Sequence, residues 1–260
     1  MRGEVLERGA LPIGVLDSGV GGISVLKKLK QLLPCENYLY LSDTKNAPYG
    51  IKSVREIVDL TEEAVKKLLL YPCKIIVIAC NTATAASVEY LRDKYPKIHI
   101  VGLEPAITPA VREFGEGKIL VLTTEATEKT ERFKRLVGAL NCKKRIICLP
   151  TQKVVSFVEE GMGDSPALVS YLKSAFFPYR KEQFSAVVLG CTHFPFAKNA
   201  IEKALGYSPR FYDGAEGAAK RVRMMLLRDG ILNKSELCGE TVWLEDGFSA
   251  FGRKIMNKAD

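Results

Sequence analysis

Histidine is nearly absent. The 260-residue chain has two, His99 and His193, and neither lies near other ligand types at metal spacing. A zinc site needs clustered His and Cys at short intervals, so no metal is expected. No C-x-x-C pair occurs among the seven cysteines, Cys35, Cys73, Cys80, Cys142, Cys148, Cys191 and Cys238. Their number is odd, and a chain this long buries a core without disulfide staples, so free thiols in a reducing compartment are expected. No apolar run approaches the roughly 18 residues that span a bilayer. Residues 1–12 carry charges but no apolar centre, the pattern of neither a signal peptide nor an anchor, and a cytoplasmic location is expected. The dinucleotide fingerprint G-x-G-x-x-G is missing, and no lysine stands in a context that singles it out for pyridoxal phosphate, so no cofactor is expected.

The composition is that of an ordinary globular protein, 47 % hydrophobic and 26 % charged, long enough for one large domain or two small ones. Net charge is +8, from 38 Lys and Arg against 30 Asp and Glu. The basic residues fall in small groups (Lys27-Lys28-Lys30, Lys66-Lys67, Lys143-Lys144-Arg145, Lys220-Arg221-Arg223) on helix faces and turns. Without interleaved aromatics or a nucleic-acid motif they read as solvated faces, and neither nucleic acid nor membrane is an expected partner. Such a field does help draw in a small anion.

Chemistry enters at residues 74–84. Lys74-Ile-Ile-Val-Ile-Ala79 is a short β-branched run, the pattern of a strand buried on both faces. It stops at Cys80, and the alanines after Asn81-Thr82 favour a helix. Cys80 is thus expected at the carboxyl end of a strand, where open α/β sheets bind ligands. A helix N-terminus there favours thiolate. The pattern recurs: Ser185 to Gly190 is a buried strand that stops at Cys191-Thr192-His193. The interval between the two cysteines matches that between Ile13 and Ile119, which open the first strand of each half, to within a few residues. An internal repeat of this kind carries more weight than either thiol alone.

Other elements follow from periodicity. Ile13–Asp17 reads as the first strand, Ser18 to Gly22 as a tight glycine-rich turn, and residues 23–33 as a helix that Pro34 ends. A strand at 37–41 leads through Pro48-Tyr49-Gly50 to a helix capped by Ser53 with Glu56. A strand at 98–102 carries His99 in a structural role, and Glu104-Pro105 opens a helix that ends near Phe114. The second half reads as strand 119–124, helix 128–137, strand 145–149, helices 153–160 and 165–177, and a helix at 196–205. The tail supplies a strand at 210–213, a helix at 215–228, a strand at 241–244 and a last helix at 248–258.

Two thiols from matching strand ends suit inversion at one carbon, one removing a proton and the other delivering one from the far face. Asp17 at the first strand end is poised over the same crevice. A Cys191–His193 hydrolase leaves Cys80 without a role, and neighbours two apart at a strand end need not face each other. An α/β protein that binds a small anion or DNA is the reading from a different class.

Leu16-Asp17-Ser18-Gly19-Val20-Gly21-Gly22, Asp43 with Pro48-Tyr49-Gly50, Ala79-Cys80-Asn81-Thr82-Ala83-Thr84, and Gly190-Cys191-Thr192-His193-Phe194-Pro195 closely resemble glutamate racemase. Asp213-Gly214-Ala215-Glu216 resembles the start of that family's C-terminal helix. The resemblance implies two similar doubly wound α/β domains related by a pseudo-twofold axis, with the active site in the cleft between them. These would be residues 1–103 with 211–260, carrying Cys80, and residues 104–210, carrying Cys191. It implies cofactor-independent two-base exchange of L- and D-glutamate, supplying D-glutamate for peptidoglycan, and a homodimer. Cys80 would deprotonate the D isomer and Cys191 the L isomer, assisted by Asp17 and His193. Asp17, Ser18, Pro48, Tyr49, Gly50, Asn81, Thr82, Thr124, Thr192 and His193 would bind substrate, with Glu159 as an auxiliary carboxylate. Two segments depart from the family pattern: Thr123-Thr124-Glu125-Ala126-Thr127 replaces Gly-Thr-x-x-Thr, and the residues before Glu159 are spaced differently. A racemase of another acidic amino acid is the nearest rival.

Overall fold

The computed structural model describes residues 8–140, 142–244 and 253–255. The apolar runs become short parallel strands in two sheets. β1 (Ile13–Asp17), β2 (Tyr38–Ser42), β3 (Ile75–Ile78) and β4 (His99–Gly102) form the first. β5 (Lys118–Thr123), β6 (Ile146–Pro150), β7 (Phe184–Leu189) and β8 (Arg210–Asp213) form the second. β9 (Thr241–Leu244) pairs with β2 at the edge of the first sheet. The orders are β4-β3-β1-β2-β9 and β6-β5-β7-β8. Counted within its own half, each sheet therefore runs fourth-third-first-second, so the repeat seen in sequence is a repeat of topology. β3 and β7, which precede the two cysteines, hold the same place in their sheets. Both are almost entirely buried, as parallel strands covered by helices on both faces must be.

Helices connect the strands. In the first unit these are α1 (Ile23–Leu32), α2 (Val54–Leu68) and α3 (Asn81–Lys94). In the second they are α4 (Ile107–Glu113), α5 (Glu125–Lys129), α6 (Glu131–Gly138), α7 (Lys153–Glu159), α8 (Pro166–Phe176) and α9 (Lys198–Leu205). Ser53 caps α2 by accepting from the Glu56 N–H at 3.2 Å, while the Glu56 carboxylate takes Lys52. The helix expected over 128–137 is two helices. Thr130 is extended (ψ 143°) and caps α6 through the Phe133 N–H, and this local bond breaks the helix that propensity alone would continue. The helix expected from Phe196 begins as a 3-10 turn, Phe194–Ala197, and becomes α-helical at Lys198.

The tail divides between the units. β8 pairs with β7, so residues 211–213, expected with the first unit, lie in the second sheet. The chain then returns as α10 (Ala215–Arg228), which packs on α1 and β4. Of the helix expected at 248–258, residues 253–255 are helical and the rest lies outside the described residues. The units are laced together as well as linked. Glu89 on α3 pairs with Arg132 and Arg135 on α6, and one apolar cluster runs from Ile13 and Val15 through Leu120 and Leu122 to Leu189. No described helix is long and apolar enough to cross a membrane.

Candidate active site

β1, β3 and β7 end at one crevice between the sheets. Cys80 follows β3 and is the N-cap residue of α3, its sulfur accepting the Ala83 N–H at 3.5 Å. Ser18 Oγ lies 3.3 Å from the same sulfur. Cys191 follows β7, and its sulfur stands 3.6 Å from His193 Nδ1. Both cysteines are buried, and their chain neighbours meet: Thr192, next to Cys191, donates to Asp17 at 3.2 Å, and Asp17 is next to Ser18, the partner of Cys80. The two thiols thus share one site. Burial pushes the Cys80 thiol up to about 12, helped by the charges of Asp17 and Cys191 and opposed by the bonds from Ser18 and Ala83. The thiolate expected from the helix N-terminus is therefore overridden by desolvation, the larger effect for a buried sulfur.

His193 is two residues from Cys191, neighbours that need not face each other at a strand end, yet they do here because a turn closed by the Phe194 N–H on the Cys191 carbonyl at 3.1 Å folds the chain back. Its other nitrogen, Nε2, lies 2.6 Å from Glu159 Oε1. Burial pulls the imidazole pKa down, but the bonds to Cys191 and Glu159 overcome this and raise it well above its ordinary value. For Glu159, burial works upward, while His193 and the Val20 N–H at 3.0 Å together hold the carboxyl below its usual range. Glu159, the least specific of the expected residues, is thus tied into the site from both units.

Asp17 is fully buried and accepts from the Gly19 N–H at 2.9 Å and from Thr192 Oγ1 at 3.2 Å, the second bond crossing between the units. Burial raises its pKa to about 6, against the charge of His193 and the N–H bonds of Gly19 and Gly22. Tyr40 and Ser42 brace the turn from below, both hydroxyls donating to the Gly19 carbonyl. The turn is glycine-rich for a steric reason. A Cβ on Gly19 would collide with Glu159 Oε1, and one on Gly21 with Thr192 Oγ1 and, at 2.6 Å, with His193 Nδ1.

Neutral donors line another part of the crevice. Thr82 Oγ1 lies 3.0 Å from Thr124 Oγ1 and 3.1 Å from Thr127 Oγ1, and the last two are 2.8 Å apart. This three-hydroxyl ring joins the start of α3 to the start of α5. Asn81, also at the start of α3, spends its amide N–H on the Leu103 carbonyl at 3.3 Å. In the loop after Pro48, the Tyr49 hydroxyl donates to Asp43 Oδ2 at 2.6 Å. It is the Gly50 backbone that packs against Thr124 and Gln152. Sequence reasoning missed Thr127 and Gln152. Thr127 was signalled by its place three residues after a threonine at a helix start; Gln152 had no local signal.

The crevice is closed. A cleft of about 590 Å³ lies away from the cysteines, where the chain crosses between units, beside Glu104, Arg132 and Gly214. Three hydrogen bonds cross between the units here: Val20 N–H to Glu159, Ser24 Oγ to the Thr192 carbonyl, and Thr192 Oγ1 to Asp17.

Residues 13–222 match the family model described as Asp/Glu/Hydantoin racemase, and the chain belongs to that family of racemases. Within it, the similarity is to glutamate racemases. The curated glutamate racemase of Clostridium acetobutylicum is 44 % identical over 222 residues, 85 % of this chain and 86 % of that one. Among solved structures, a glutamate racemase isoform of Bacillus anthracis superposes with a TM-score of 0.84 at 30 % identity, covering 95 % of this chain and 93 % of its own. The Francisella tularensis glutamate racemase in complex with D-glutamate superposes with a TM-score of 0.82 at 27 % identity, covering 96 % and 94 %.

Proposed function

We propose that the protein interconverts L- and D-glutamate by two-base proton transfer at Cα. The observation that carries this reading is that Cys80 and Cys191, from equivalent strand ends of two topologically equivalent sheets, face one crevice laced by the Ser18, Asp17, Thr192 and His193 contacts. In the L-to-D direction Cys191 Sγ takes the Cα proton and the C–H electron pair stays on carbon. The Cys80 S–H then delivers its proton to the opposite face, leaving thiol at Cys191 and thiolate at Cys80. The D-to-L direction reverses each transfer, and no electron acceptor or cofactor is needed. His193, held by Glu159, balances negative charge on Cys191. Asp17 and Glu159 make one end of the crevice anionic and suited to the substrate ammonium. Ser18, Asn81, Thr82, Thr124, Thr192 and the backbone at Pro48, Tyr49 and Gly50 supply neutral groups for its carboxylates and for the carbanion.

The two α/β units act as domains that part to admit substrate and close over it. The protein works in the cytoplasm as a homodimer and supplies D-glutamate for peptidoglycan. The test is purified protein with L-glutamate and no added cofactor, followed by circular dichroism in D2O. Decay of the signal with deuterium incorporated at Cα is expected. Turnover of aspartate but not glutamate overturns the substrate assignment, and retention of Cα–H during racemisation overturns the mechanism.

A further inference from the structure

Three adjacent buried polar atoms, Thr151 Oγ1 and both atoms of the Gln152 carboxamide, have no hydrogen-bond partner among the described residues. Buried polar groups are nearly always paired, and a cluster of unpaired ones beside an active site marks a place built for something else. We propose that Gln152 is a substrate-binding residue whose carboxamide N–H takes the side-chain carboxylate of glutamate. The inference rests on the racemase reading above and adds to it the group that measures substrate length.

The location supports this from three sides. Gln152 immediately precedes α7, and its Oε1 lies so close to Gly50 that any side chain there would strike it. A Cβ at Gly50 would also lie 2.9 Å from Thr124 Cβ, so the carboxamide sits beside the threonine ring, with the first unit's Gly50 backbone against it. Glu159, at the other end of α7, bonds Val20 and His193. Seven residues of helix separate the two by about 10 Å. Helix α7 therefore lies along the crevice, with a carboxylate near the sulfur of Cys191 and a neutral amide at the remote end.

Charge then decides which part of the substrate goes where. The ammonium belongs with Asp17 and Glu159, and the carboxylates belong with neutral donors. The carboxylate furthest from the ammonium is the one on the side chain, and Gln152 is a neutral donor a full helix α7 away from Glu159. A primary amide offers two N–H donors and no charge to repel an anion. Aspartate, one methylene shorter, leaves that donor unmatched, and sites built to hydrogen-bond a group reject analogues that fail to present it.

The experiment is steady-state racemisation by the wild type, Gln152→Leu and Gln152→Glu, with thermal melts of the free proteins. Gln152→Leu keeps the volume and removes an unpaired polar group, so its Tm is expected at or above that of the wild type. Its KM for glutamate is expected to rise about tenfold or more, as for loss of a hydrogen bond to a charged group, with kcat within about threefold. Gln152→Glu places a carboxylate against the substrate's own, and its KM should rise further. A KM within twofold of the wild type in both variants, or a loss confined to kcat, overturns the inference while leaving racemisation standing. A lower Tm for Gln152→Leu with unchanged KM assigns Gln152 a structural role and likewise overturns it. A wild type inactive on glutamate brings down the parent reading and this one together.

Discussion

Glu159 Oε1 lies 2.6 Å from His193 Nε2, and the opposite ring nitrogen faces Cys191 at 3.6 Å, whereas Cys80 has the neutral hydroxyl of Ser18 as its side-chain partner. Equivalent positions in the fold thus hold chemically unlike thiols, one beside a cation and one without.

That asymmetry has a pH signature. Glu159 helps keep His193 protonated, so Glu159→Gln lowers the imidazole pKa toward its ordinary value. His193 then loses its proton at lower pH, and the alkaline limb of the kcat/KM profile moves down. At neutral pH kcat/KM should fall by roughly tenfold, within the reach of one acid/base group. An alkaline limb that stays in place refutes the coupling.

Asp17 gives a stability prediction whose sign is fixed. Its folded pKa is raised from 3.8 to about 6, so its stabilising contribution is complete below 3.8 and is lost as pH rises through about 6. Above that window the buried charge costs about 3 kcal/mol. Asp17→Asn should therefore melt higher than the wild type at pH 8 and not at pH 3.5, while racemising more slowly. Equal Tm differences at the two pH values would contradict this.

Gly21→Ala tests closure. The new methyl meets Thr192 and His193 head-on, so the units cannot seat fully. Overpacking of this kind costs about 1–3 kcal/mol. Activity should drop far more than stability, by roughly a hundredfold, since misplacement by about an ångström has that effect. A variant with near-normal kcat would show that the turn need not approach so closely.

Cys80→Ala and Cys191→Ala should each reduce racemisation in both directions by about a thousandfold or more, with melting close to wild type. Full turnover by either variant removes that thiol from the mechanism.

Much of this site was legible because strands and turns are local. Cys80 and Cys191 stood out at the ends of apolar runs, and Asp17 lay on a strand end before a glycine turn. What was hidden depends on partners distant in the chain. The Tyr49 hydroxyl is taken by Asp43, and the rise of the Cys80 pKa comes from burial that only the packed units create. Gln152 is conspicuous only once Gly50, from the other unit, lies against it. The break at Thr130 was missed because helix propensity on both sides outweighed one capping hydroxyl. The tail followed the same rule: its elements were readable, but which sheet β8 would join was not.

Thr82, Thr124 and Thr127 each bring a single hydroxyl proton to their triangle. Passed head to tail, those protons circulate in one of two senses, and either sense leaves none pointing outward. A carboxylate placed beside them would unlock the circle by rotating hydroxyls about their C–O bonds, without moving a heavy atom. One arrangement of threonines is therefore self-satisfied as it stands and could serve as a donor array to an anion without rebuilding.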